Sequence, residues 1–186
     1  LAVNDPLAAD YNRQAYAGSV DTRLRFEGGT YELRGQVAGS YVEGTTERIT
    51  DLQQFSSHFF QRPDATHVEL DTTRTSLSGY SVELDFERTR AQHWLWSVGL
   101  EAVSPGFDIN DAGRLRRADR IETGGRLTYR ETTPGLFQNY SVRAELDGNW
   151  NFDGNRLRNS LEIGGNVTLR SFWRLGMELD LVPRGL

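Results

Sequence analysis

The sequence predicts an all-β protein: an antiparallel up-and-down meander of about eight long strands, part of a transmembrane β-barrel. Three observations predict it. Apolar and polar residues alternate with a period of two in segment after segment, as they do where strand side chains point to opposite faces in turn. The segments are long, nearer the roughly 9–11 residues of a membrane-spanning strand than the ~5–6 of an ordinary one. Aromatic residues collect near segment ends, at Phe26, Tyr31, Tyr41, Phe86, Trp94, Tyr129, Tyr140, Trp150, Phe152 and Trp173, where amphipathic rings suit the headgroup level.

The first strand sets Val20, Thr22, Leu24 and Phe26 against Ser19, Asp21, Arg23 and Arg25. The second is the most regular, with Tyr31, Leu33, Gly35, Val37, Gly39 and Tyr41 on one face and Glu32, Arg34, Gln36, Ala38 and Ser40 on the other. A helix would mix these two sets. After a long gap, Tyr80, Val82, Leu84 and Phe86 oppose Ser81, Glu83, Asp85 and Glu87. Trp94, Trp96, Val98, Leu100 and Ala102 then oppose Leu95, Ser97, Gly99 and Glu101. The fifth strand places Ile121, Thr123, Gly125, Leu127 and Tyr129 opposite Glu122, Gly124, Arg126 and Thr128. The sixth alternates from Tyr140 to Phe152, the seventh from Ser160 to Arg170, and the eighth from Trp173 to Leu181.

Connections at one end are short, at Glu27–Gly29, Thr89–Arg90, Glu131–Leu136 and Ser171. The other end carries two long loops, 43–75 and 104–117, with a tight turn at 153–155 as the exception. Short turns at one end and long loops at the other is the asymmetry of outer-membrane barrels, which makes the long loops extracellular. Residues 1–16 read as an entry segment, and the whole chain as a single partial barrel domain, a fragment whose sheet is open and needs further strands.

The chain has 186 residues, a formal net charge of −5 and no cysteine. That balance gives no reason to expect nucleic acid as a partner, and it excludes disulfides and thiolate metal sites. All 21 basic residues are arginine, whose rigid forks suit carboxylate and phosphate. Mean hydropathy is −0.57, and no apolar run is long enough for a transmembrane helix. Barrel strands hide their apolar half in every second residue, so the low mean does not argue against a membrane.

SSHFFQRPDATHVELDTTRTSLSGY (56–80) and HWLWSVGLEAVSPGFDINDAGRLRRADR (93–120) resemble a bacterial family. It is the C-terminal outer-membrane barrel domain, of unknown function, of proteins that begin with a family-9-like carbohydrate-binding module. The resemblance runs from about Ala17 to the C-terminus and is carried mostly by QRPD, TSLSGY, VSPGF, ND and RADR. It implies outer-membrane localisation and, through an N-terminal module that this chain lacks, a link to carbohydrate. Family members are sometimes labelled membrane-associated hydrolases. The closing LVPRGL resembles a thrombin-cleavage tag with leucine in place of its final serine, and reads better as truncated native sequence.

The candidate loop and pore residues are Arg62, Asp64, His67, Glu69, Asp71 and Arg74 in the 43–75 loop, with Asp108 and Asp111 in the next. A long loop with these charges and Phe55, Phe59 and Phe60 can fold inward and narrow a pore. The bland alternative is that Arg62, Arg74 and the acids form salt bridges that pin the loop to the wall while the aromatics pack it down. His58, His67 and the carboxylates lack the tight spacing of a metal site, so no metal and no cofactor are expected. DINDAG (108–113) matches a calcium loop only in part, and its residues also suit an ordinary turn. Charges on the polar strand face either tune solute passage or pair across strands. No nucleophile elbow or other catalytic constellation is present, so an enzyme is not the leading expectation. The function expected is a pore or transport component linked to carbohydrate binding or uptake, with outer-membrane lipid as partner. The alternatives are an outer-membrane-associated hydrolase with its site in the extracellular loops, and a soluble β-barrel or sandwich that binds a ligand.

Overall fold

The computed structural model describes residues 11–63, 66–111 and 113–183. Its strands are β1 (Gln14–Phe26), β2 (Tyr31–Glu43), β3 (Ser76–Arg88), β4 (Trp94–Val103), β5 (Arg120–Glu131), β6 (Asn139–Trp150), β7 (Arg156–Thr168) and β8 (Arg174–Leu181). They form one sheet in chain order, every neighbour antiparallel. Among the described residues β1 pairs only with β2 and β8 only with β7, so the meander is open.

Register keeps the apolar sets together. Val20 lies opposite Val37, Val37 opposite Val82, and Val82 opposite Ala102. Further along, Ala102 faces Ile121, Leu146 faces Leu161, and Leu161 faces Leu181. All eight strands therefore present their apolar residues to one face. The one irregularity is a shift at Asn149/Trp150, where β7 carries Leu157 as an extra residue.

That apolar face is bare. Val20 is 75% exposed, Leu146 61% and Met177 81%, with Val37, Leu84, Val98, Leu127 and Val142 also exposed. The small buried core lies on the opposite, polar face at the long-loop end. One part is Val42, Ile49 and Leu52. The other is Val103, Phe107 and Ala118, with Ala38, Ile109 and Leu115 against it. A single cavity touches both Ala17 on β1 and Asn149 on β6. In a flat sheet those strands would stand about 24 Å apart, so the sheet curls around its polar face.

The 43–75 segment contains a helix, α1 (Thr46–Gln54), that the strand alternation did not announce. Thr45 caps it by accepting from the Arg48 N–H at 3.2 Å, and Glu47 sits in the first turn. Ile49, Leu52 and Gln53, spaced three and four apart, form its buried face. Other boundaries also move. β1 begins at Gln14, inside the expected entry segment, because pairing with Glu43 continues the alternation. Residues 1–10 of that segment lie outside the described residues. Phe152, Leu169 and Trp173 fall just outside β6, β7 and β8.

Candidate functional site

The long-loop end is held by two buried carboxylates. Asp119, at the close of the loop between β4 and β5, is fully buried with a positive φ of 52°. Aspartate tolerates that left-handed conformation better than most residues. Its carboxylate pairs with the Arg62 guanidinium, lies 2.7 Å from His67 Nε2, and accepts the Phe152 N–H at 3.0 Å. One side chain thus joins the 44–75 loop, the 104–119 loop and the 151–155 turn. The Ala118 N–H also donates to the Ser57 carbonyl at 2.7 Å.

Asp108 is the second anchor. His58 is buried between two acceptors, with Nδ1 2.9 Å from the Pro105 carbonyl oxygen and Nε2 2.8 Å from an Asp108 carboxylate oxygen. That arrangement needs two protons, one on Nδ1 for the carbonyl and one between Nε2 and the carboxylate. Asp108 also accepts from the Asn110 N–H at 2.8 Å and the Asn110 side chain at 3.1 Å, and its own N–H donates to Ser40 Oγ at 2.9 Å. Burial pushes the Asp108 carboxyl up, but the His58 and Asn110 hydrogen bonds outweigh it and hold the group below the ordinary value. Both of its oxygens are taken by protein donors, the pattern of a turn rather than of a calcium loop.

The structure divides the remaining candidates. Arg62 and His67 meet at Asp119. Asp71 and Arg74 form a separate local pair 3.3 Å apart, and Asp71 accepts from Thr73, whose hydroxyl and N–H hold the carboxyl below its ordinary value. Asp111 accepts from Asn12 ahead of β1. Glu69 is exposed. Asp64 lies outside the described residues. Of the loop aromatics only Phe60 is buried; Phe55 and Phe59 stay exposed, because the 44–75 loop meets the wall through α1 and His58 instead. Asp119 was not among the sequence candidates because its string, RADR, carries only the family resemblance and shows nothing of its distant partners.

Below the loops, the polar face is organised in rows. One row runs Gln36, Glu83, Glu101, Glu122 and Asn149 across β2 to β6, placing three glutamates side by side. Like charges directly opposite are unfavourable unless compensated. Arg120 compensates two of them, reaching Glu101 and, at 2.7 Å, Glu122; Asn149 donates to Glu122 at 2.7 Å. The row toward the short turns is cross-paired instead: Arg25 meets Glu32 at 2.7 Å, Arg34 meets Glu32 and Glu87, Arg126 meets Glu145 at 2.8 Å, and Arg143 meets Glu162. Above the glutamate row lies a cavity of about 790 Å³ roofed by the 104–119 loop, which lends it Arg114, Arg116 and Arg117.

The loops thus cover a charged wall. A family model described as a domain of unknown function (DUF5916) matches residues 9–185. No curated protein and no solved structure matches the chain.

Proposed function

The chain belongs to this family of domains of unknown function, and from its geometry we propose that it is a barrel component of a bacterial outer membrane. One observation carries the reading: the apolar side chains of all eight strands share one face, and that face is exposed. Soluble monomers rarely leave apolar patches larger than a few hundred Å² uncovered, whereas a barrel in lipid needs its apolar side outward and its polar side toward the lumen. The buried core on the polar side, made by inward loops, supports the same orientation. The open sheet then closes with strands supplied by the rest of the barrel.

Within that barrel the chain acts in solute passage. The loops and the charged rows line the lumen, and the cavity beneath the loops is the size of a small-solute site. The carbohydrate link belongs to the same proposal and rests on the resemblance described above. The two buried loop carboxylates, Asp108 and Asp119, are engaged in anchoring, which favours passage over hydrolysis. The test is fractionation of the intact protein with outer membranes, together with mobility in mild detergent before and after heating. Co-fractionation and heat-shifted mobility support the barrel. A protein that stays in the soluble fraction, with mobility indifferent to heating, overturns it. Conductance in planar bilayers, with and without neutral sugars, then tests passage.

A further inference from the structure

We infer that the cavity under the 104–119 loop is an oxyanion-binding site in which Arg114, Arg116 and Arg117 hold a small solute bearing a carboxylate or phosphate group. The inference deepens the pore reading and rests on it for the route by which the solute arrives. Binding itself is measurable apart from conduction.

The charges are divided unequally. Four arginines and three glutamates line the cavity. Arg120 is occupied by Glu101 and Glu122. The three loop arginines have no ion pair among the described residues, although carboxylates are plentiful on the wall below. Guanidinium forks match carboxylate and phosphate oxygens two at a time and stay charged across the working pH range.

The arginines also sit on a fixed ridge. Leu115, between Arg114 and Arg116, packs against the cluster of Val103, Phe107 and Ala118. Ala118 and Asp119, directly after Arg117, are both fully buried. The backbone beneath the three exposed arginine side chains is thus anchored on both sides before a ligand arrives. The cavity volume falls within the roughly 300–1,000 Å³ of small-molecule sites. Across it stands Glu83, with no ion pair among the described residues. It repels a second anion and accepts hydrogen bonds, so the best-matched solute carries its oxyanion at one end and hydroxyl or amine donors at the other.

The intact protein, folded in detergent, is titrated calorimetrically with inorganic phosphate. The variants are the triple R114Q/R116Q/R117Q, each of its single members, and R174Q on β8 outside the cavity as control. The expected result is saturable binding to wild type and R174Q, weakened at least tenfold in the triple and partially in each single. The singles keep the test open if the triple does not fold. Equal binding by wild type and the loop variants, or no saturable binding to wild type, overturns the inference. KCl conductance without phosphate separates the two readings. A conducting protein that ignores phosphate keeps the pore and loses the site, and a non-conducting protein that binds phosphate through these arginines does the reverse. Repeating the titration in phosphatidylcholine vesicles with and without phosphatidylglycerol separates the sources. Competition by the anionic lipid makes the natural oxyanion a headgroup, and indifference makes it a free solute.

Discussion

At Asp119 a single carboxylate joins three segments far apart in sequence, and its loss has a sharp expected effect. Asp119→Ala removes the buried acceptor shared by the Arg62 guanidinium and the Phe152 N–H. Removing one partner of a buried ion pair costs about 3–5 kcal/mol. Hydrogen exchange should therefore quicken across 44–75 and 104–119, while the strand amides toward the short turns stay protected. Uniform loss of protection would contradict the anchoring role. Asp119→Asn, which keeps the tolerance for positive φ, should do less damage than alanine. Asp108 makes a pH-dependent case. Its carboxyl titrates below the ordinary value of 3.8 in the folded chain, so its stabilisation is complete above that value and is lost as pH falls through the lower, folded one. Loop protection factors, corrected for the slower chemical exchange in acid, should fall below about pH 4. Asp153, held down by Thr66, acts in the same sense. In Asp108→Asn that part of the acid response should vanish, and an unchanged profile would sink the assignment.

Among the elements, the 104–119 loop crosses β3 with almost no clearance. A Cβ on Gly79 would lie 2.1 Å from the Phe107 nitrogen, and one on Gly106 would lie 2.3 Å from the Ser78 oxygen. Both neighbours are backbone and cannot swing aside. Gly79→Ala should cost about 1–3 kcal/mol through overpacking and lift the loop, read as faster proteolysis between 104 and 119. Gly148→Ala is the contrast. The nearest atoms its Cβ would meet belong to the Trp150 ring, a side chain rather than backbone, so the same assay should show a smaller change. The strand faces give a further pair. Met177→Arg, near the middle of β8 on the bare apolar face, should destabilise the vesicle-inserted protein by about 2–4 kcal/mol. Asn166→Arg, on the polar face of β7, should be nearly neutral. Equal tolerance, measured by denaturant titration in vesicles, would mean that the apolar face does not meet lipid.

For the whole molecule, the sheet was legible in the sequence and the cover over it was not. Alternation is local: Tyr31 to Tyr41 states its own geometry, and register follows once neighbouring strands share an apolar face. The open edges were not legible in the alternation itself, since eight such strands can also close on themselves; among the described residues β1 pairs only with β2 and β8 only with β7. The loops obey other rules. α1 was hidden because its signal is a Thr45 cap with Ile49 and Leu52 only three apart, a short pattern inside a polar stretch. The expected salt-bridge pinning holds for Arg62 but reaches Asp119, a partner 57 positions away that no spacing rule connects. His58 was visible only as one loop histidine among charges, since its burial depends on Pro105 and Asp108 folding back over β2 and β3. The glutamate row emerged only when strand register set Glu83, Glu101 and Glu122 side by side.

The near-unbroken register has a consequence for how such a chain can change in length. Each strand is tied residue by residue to its neighbours, so removing one residue inside a strand reverses the facing of everything beyond it in that strand. Deleting Thr123 would carry Arg126 to the side now held by Leu127 and send Leu127 inward. The 132–138 and 169–173 crossings impose no such parity, and length can be gained or lost there without turning a charge outward. Leu157 marks the one place where β7 already accommodates an extra residue, at the strand's start beside the 151–155 turn, where only Arg156 lies beyond it. Growth by small insertions is thus confined to the rims, and the wall itself can lengthen only two residues at a time.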